Sequence, residues 1–182
     1  MTASVRPAMV AILIGMAACK GGGDEGTMQV SWVYGSDTVA LELSATAVSC
    51  PDLGWLEVVG ASGDTGVGMV VFPEGNQVAG RYAVEPPEWR EDSAKSVASI
   101  AVRWFSEDGV IAFVASDGVV LLEEAGQSVT GRFVGRLQDL LGVDSLELQG
   151  SVSSIPLVVG GIECESPRDS ADVGFPTDSG VD

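Results

Sequence analysis

The stretch Thr38-Val39-Ala40-Leu41-Glu42-Leu43-Ser44-Ala45-Thr46-Ala47 decides the fold class. Val39, Leu41, Leu43, Ala45 and Ala47 fall on one side of a period of two, and Thr38, Glu42, Ser44 and Thr46 fall on the other. Successive side chains of an extended chain point to opposite faces, so this run is a strand with one face in a core and one in water. Immediately upstream, Met28, Val30, Trp32 and Tyr34 alternate with Gln29 and Ser31. Gly35-Ser36-Asp37 lies between the two runs and predicts a hairpin.

The same pattern recurs downstream. Cys50-Pro51-Asp52 ends the first long run. Residues 55–59 and 67–72 read as strands joined by a Gly-rich loop over 60–66, and the second is apolar on both faces, as a central strand would be. Pro73-Glu74-Gly75-Asn76 turns the chain into residues 77–84, with Val78, Gly80, Tyr82 and Val84 on one face. Residues 85–92 hold adjacent prolines and form a long connection that carries Trp89. Residues 96–105 place Ala98, Ile100, Val102 and Trp104 inward. Residues 110–115 and 119–124 read as a hairpin around Ser116-Asp117-Gly118, because Asp-Gly is a strong turn signal. In residues 128–137, Val129, Phe133 and Leu137 face in while Thr130, Arg132 and Arg136 face out; in 145–153, Leu146, Leu148 and Val152 face in, and 155–159 continue that strand.

About ten short strands with no helix after residue 19 predict an all-β domain over 28–165, an antiparallel β-sandwich with a β-barrel as the alternative. The Gly-x-Trp expected near the first strand of a lipocalin-type barrel is missing. One internal echo stands out: Gln77-Val78-Ala79-Gly80-Arg81-Tyr82 against Ser128-Val129-Thr130-Gly131-Arg132-Phe133. Both read as a glycine where another chain approaches, an arginine outward and an aromatic inward.

The start of the chain has a different character. Arg6 is the only charge in residues 1–18, followed by an apolar run over 8–18, a pattern that describes a secretory signal too short to span a bilayer as a helix. Met16-Ala17-Ala18-Cys19 resembles the lipobox of bacterial lipoproteins, with Met where Leu is usual. The resemblance implies cleavage before Cys19 and attachment of a diacylglycerol and an N-acyl chain to it, and several acyl chains anchor a protein stably. The alternative is ordinary secretion with an Ala-x-Ala-type cut and a free Cys19. Residues 19–27 continue as a polar Gly-rich tether. Lys20 follows the cysteine, which by the enteric sorting rule implies the outer membrane. The layout from Leu41 to Cys164 also resembles small acidic, Gly-rich β lipoproteins of Gram-negative bacteria, a likeness that implies no activity.

With Cys19 lipidated, Cys50 and Cys164 remain as a pair, and export implies an oxidising compartment in which a disulfide persists. The alternative is two unpaired, buried cysteines. Net charge is −17, with 26 acidic and 9 basic residues, which argues against a nucleic-acid partner and against direct contact between the domain and anionic headgroups. Residues 166–182 are rich in Ser, Asp, Pro and Gly and read as a disordered acidic tail.

The chain has no histidine, which removes Ser-His-Asp and Cys-His nucleophiles and the commonest ligand of catalytic zinc. Lys20 and Lys95 are the only lysines, and neither sits in a Ser-Lys motif. Asp64-Thr65-Gly66 and Asp178-Ser179-Gly180 match the triplet of aspartic proteases, but Ser62-Gly63 and Pro176-Thr177 precede them where apolar residues belong, so both read as turns. Glu91-Asp92, Glu107-Asp108 and Glu123-Glu124 lack an Asp-x-Asp-x-Asp-Gly calcium loop. Among Trp55, Trp89 and Trp104, Trp104 reads as core and Trp89 is the candidate surface binding residue. The expectation is a non-catalytic, cofactor-free and metal-free envelope domain, tethered to membrane through Cys19, that binds an envelope protein or glycan or serves a structural role. An envelope hydrolase using acidic residues and a ligand-carrying barrel are the alternatives.

Overall fold

The computed structural model describes residues 26–75, 77–86, 96–107, 109–139, 141–160 and 164. Cys19, Trp89 and the segments 1–18 and 166–182 lie outside the described residues. Among the described residues nine strands form one mixed sheet: β1 (Gly26–Tyr34), β2 (Asp37–Cys50), β3 (Trp55–Ser62), β4 (Thr65–Phe72), β5 (Gly80–Val84), β6 (Val97–Ser106), β7 (Gly109–Ala125), β8 (Ser128–Asp139) and β9 (Ser145–Val159). A 3-10 turn at Pro51–Leu53 joins β2 to β3.

The strand order is β1-β2-β3-β4-β6-β5-β7-β8-β9, and β9 returns to pair with β1, so the sheet closes in a ring. Both a sandwich and a barrel describe this arrangement. All the longer pairings are antiparallel. Among the described residues parallel pairing occurs in two short seams, β5 with β6 at Ala83–Val97 and Val84–Ala98, and β2 with β9 from Ala47–Leu157 to Ser49–Val159.

The predicted alternations hold strand by strand. Met28, Val30 and Trp32 on β1, Leu43, Ala45 and Ala47 on β2, and Leu146, Leu148 and Val152 on β9 are buried in one continuous core. Val67, Met69 and Val71 are fully buried on β4, and that strand lies between β3 and β6 as expected of a central one. The loop expected over 60–66 is shorter, because β3 and β4 stay paired as far as Ser62 and Thr65 and turn at Gly63-Asp64. β5 begins at Gly80 rather than at residue 77, although Val78 still packs against the core.

The main correction concerns Ser116-Asp117-Gly118. No hairpin forms there. β7 runs through all three residues as a single strand of 17. Its first part pairs with β6 and its second with β5, while β8 lies along its other edge. The ladder with β8 slips between Ala115 and Asp117, which is a β-bulge. The extra residue reverses the inward parity: Phe113 and Ala115 point in before it, Val120 and Leu122 after it. Gly118 has φ +150, and a Cβ there would run into the Val134 carbonyl. The Asp-Gly pair therefore supplies the backbone freedom of a bulge rather than of a turn.

Cys50 and Cys164 form the expected disulfide, across a sequence separation of 114 residues. It fastens the end of β2 to the chain just beyond β9, next to their parallel seam.

Candidate functional site

Three inward positions on β8 and β9 carry no side chain: Gly131, Gly135 and Gly150. A Cβ on Gly131 would meet Leu121 backbone, and one on Gly150 would meet the Phe133 ring and the Gln29 carbonyl. At Gly131 and Gly150 neighbouring backbone and the Phe133 ring lie where a side chain would begin. On the outside of the ring lies a groove of about 820 Å³, floored by β2, β1, β9, β8, β7 and β5.

Register fixes what the groove presents. One row of outward residues runs Arg81 (β5), Leu121 (β7), Arg132 (β8), Ser151 (β9), Gln29 (β1), Glu42 (β2), each opposite the next. At about 4.8 Å per strand the row spans about 24 Å. A second row beside it runs Val119, Val134, Gln149, Ser31, Ala40. A third, in an adjoining cavity of about 540 Å³, runs Asp117, Arg136, Glu147, Val33.

The side chains form a graded surface. Gln29 Nε2 donates to Glu42 Oε2 at 3.3 Å, and Gln149 Nε2 donates to Ser31 Oγ at 3.1 Å. Arg136 Nη2 pairs with Glu147 Oε1 at 3.5 Å and has Asp117 opposite it on the other side. Arg132 Nε lies 3.9 Å from Glu123 Oε1, but both side chains are more than half exposed (70% and 53%), so that contact holds little energy. Arg81 makes no ion pair with any described residue. The described residues contain four cationic side chains, Arg81, Arg103, Arg132 and Arg136, and all but Arg103 line the groove or its extension.

Beneath the groove, Tyr82 and Phe133 face inward, each beside its outward arginine, so the echo noted in the sequence describes two strands with the same task. Their glycines differ: Gly131 has backbone against it, whereas the atoms nearest a Cβ on Gly80 are those of the Tyr82 ring, 3.8 Å away.

The other candidates fall elsewhere. Trp104 is half-buried, stacked on Trp32 at 5.8 Å and on Phe113 at 5.5 Å with Tyr34 edge-on, so it closes one end of the core. Trp55 is half-buried at the start of β3 opposite Cys50. Asp64 is exposed in the β3–β4 turn, and Asp178 lies outside the described residues. Glu123 and Glu124 are both exposed at a second register slip in β7. Among the described residues no three Cys, Asp or Glu side chains converge as a metal site. The interior is filled by packed side chains, including Met28, Met69, Ile100, Phe113 and Phe133.

Gln29, Ser31, Gln149 and Ser151 carry no signal of their own in the sequence, where they read as the solvated side of strands. Of the groove's outward residues, Arg81 and Arg132 alone stand in the internal echo of the sequence. No protein-family model matches the chain, and no curated protein or solved structure matches it.

Proposed function

We propose that this chain is a lipid-anchored domain of the cell envelope, held at the outer membrane through Cys19, that binds a ligand on the outer face of its sheet and performs no catalysis. The observation that carries the anchoring is Met16-Ala17-Ala18-Cys19, placed between an apolar run with a single leading charge and a Gly-rich tether. The disulfide suits the oxidising compartment that export would bring. The groove supports binding over chemistry. A hydrolase working through acids needs two carboxylates facing one another across a cleft. Asp117 and Glu147 are the pair that share the groove's extension, and Arg136 stands between them in register. The packed interior likewise favours an external ligand over one carried inside.

Intact-mass analysis of protein made in a Gram-negative host tests the anchoring. The mature chain should begin at Cys19 and carry acyl mass, and Cys19→Ala should abolish both the acyl mass and membrane retention. A mature chain that begins elsewhere, or a Cys19 without acyl mass, would overturn it.

A further inference from the structure

We propose that the groove binds an acidic oligosaccharide in which a carboxylated sugar alternates with neutral ones, its carboxylate held between Arg81 and Arg132. This deepens the binding reading above and rests on it, but does not depend on the lipid anchor.

In a chain of net charge −17, cations placed together on a concave face oppose the general charge trend. Arg136 has an acid on either side, Glu147 at 3.5 Å and Asp117 opposite, so a ligand carboxylate meets two others there. Arg81 makes no ion pair with a described residue, and Arg132 has one exposed contact, 3.9 Å to Glu123, that a ligand carboxylate replaces at little cost; the two stand opposite Leu121, on its two sides. Their Cα atoms are two strand spacings apart, about 10 Å. Two long side chains rooted at that distance can close on one carboxylate lying over Leu121, and guanidinium forks suit that shape.

The rest of the row gives the neutral part. Past Arg132 come Ser151 and Gln29, with Gln149 and Ser31 alongside. These are short donors and acceptors that suit sugar hydroxyls. Glu42 then ends the row, about three strand spacings from Arg132. It can accept from a hydroxyl but repels a second carboxylate, so a chain acidic at every residue fits less well than an alternating one.

The same surface disfavours an acidic peptide. An extended peptide gains most by adding to a sheet edge, and β1, β9, β8 and β7 are paired on both sides under the groove; single-sided pairing is left at its two ends, where β5 at Arg81 pairs with β7 and β2 at Glu42 pairs with β1, and at the β2 end an acidic peptide meets Glu42. A peptide laid over the face would leave most of its backbone groups without partners. A nucleic acid would meet the same arginines, but its charge at every residue would bring a phosphate against Glu42 and raise the repulsion from the acidic chain above that of an alternating saccharide.

The test uses full-length protein in detergent and titration calorimetry with four probes: a hyaluronan hexasaccharide, which alternates uronate and neutral sugar, a neutral chitohexaose, an oligogalacturonate and a polyglutamate peptide. Hyaluronan should bind best, and its affinity should fall as salt rises from about 0.05 to about 0.5 M. Arg81→Gln and Arg132→Gln should each weaken it about tenfold or more, as loss of a charge-assisted pair does. Arg103→Gln, on β6 away from the groove, should leave it unchanged. Near-UV circular dichroism verifies that each variant is folded, and Arg81→Lys, which keeps the charge but not the fork, should fall between wild type and Arg81→Gln.

No binding of hyaluronan by folded protein overturns the proposal, as does equal binding of chitohexaose, tighter binding of oligogalacturonate or polyglutamate, or an Arg103→Gln loss as large as that of the groove variants. Failure here leaves the acyl-mass result standing, and an absent anchor leaves this titration unaffected, so the two claims fail separately.

Discussion

Tyr82 shows how one buried polar atom organises the groove's floor. Its ring is buried, and its phenol O–H donates to the Val78 carbonyl, with the Gln77 carbonyl 3.5 Å away. This ties the approach to β5 onto the core and so fixes the strand that carries Arg81. Burial raises the Tyr82 pKa above its ordinary 10.0, because the phenolate is the form that desolvation disfavours. The unfolded chain therefore ionises first. Stability from this group is complete below about pH 10 and is lost as pH rises from there through the raised value. Tyr82→Phe should cost about 1 kcal/mol near neutrality, the net worth of one hydrogen bond. It should also remove part of the fall in urea midpoint as pH rises above about 10. A variant with the same alkaline loss as wild type would contradict the assignment. Two glycines give a contrast of the same kind. Gly118 combines positive φ with the Val134 carbonyl against it, so Gly118→Ala should cost about 3 kcal/mol or more. Gly68 on β4 has no positive φ and no heavy atom within 4 Å of an added Cβ, so Gly68→Ala should stabilise by about 0.5 kcal/mol. Chemical denaturation of the two variants side by side decides both.

At the scale of elements, the bulge in β7 decides which faces meet. Because side-chain direction has a period of two, one residue added or removed turns a strand over. Deleting Ser116 should force a choice between pairing residues 109–114 with β6 and burying Val120 and Leu122, and the cooperative unfolding transition should be lost. Ser116→Ala loses only its hydroxyl's bond to the Arg136 carbonyl at 3.1 Å and should cost about 1 kcal/mol or less. If the deletion variant unfolds as sharply as wild type, the bulge has no such role. The same element marks the boundary of what the sequence makes legible. β8, with Val129, Phe133 and Leu137 inward, is plain in its own alternation because every residue answers to one local period. β7 is not, because a parity change at Asp-Gly suits a hairpin and a bulge equally. The choice between them depends on β5 arriving beside residues 119–122 from far earlier in the chain. The groove was hidden for the same reason. Arg81 and Arg132 could be singled out, but that both flank Leu121 follows from that non-local pairing, and outward serines and glutamines look the same whether they face open water or a ligand.

The whole molecule closes at its end, and this sets the last prediction. β9 pairs with β8 on one side and β1 on the other, and residues 157–159 turn to pair with β2 as well. Ile155 is fully buried, and the Gly160 N–H donates to the Ser49 carbonyl at 2.9 Å. The disulfide then fixes this seam. For a loop this long, chain-entropy models give about 4–5 kcal/mol. Ending the chain after residue 165 should therefore leave the urea midpoint unchanged, to within about 0.5 kcal/mol. Reduction of the full chain should lower stability by about 4–5 kcal/mol while the ring still forms. Ending the chain after residue 153 should do far more. It removes the covalent link, the burial of Ile155 at about 1.5–3 kcal/mol, and the cover on the far end of β2. Against a typical total of about 5–15 kcal/mol, that leaves little folded protein, and the exposed β2 edge should make what remains associate. Sedimentation and denaturation of the three preparations distinguish these outcomes. If the chain ending at residue 153 stays monomeric and unfolds like the one ending at residue 165, the ring does not need its seam, and closure through β1 and β8 alone carries the fold.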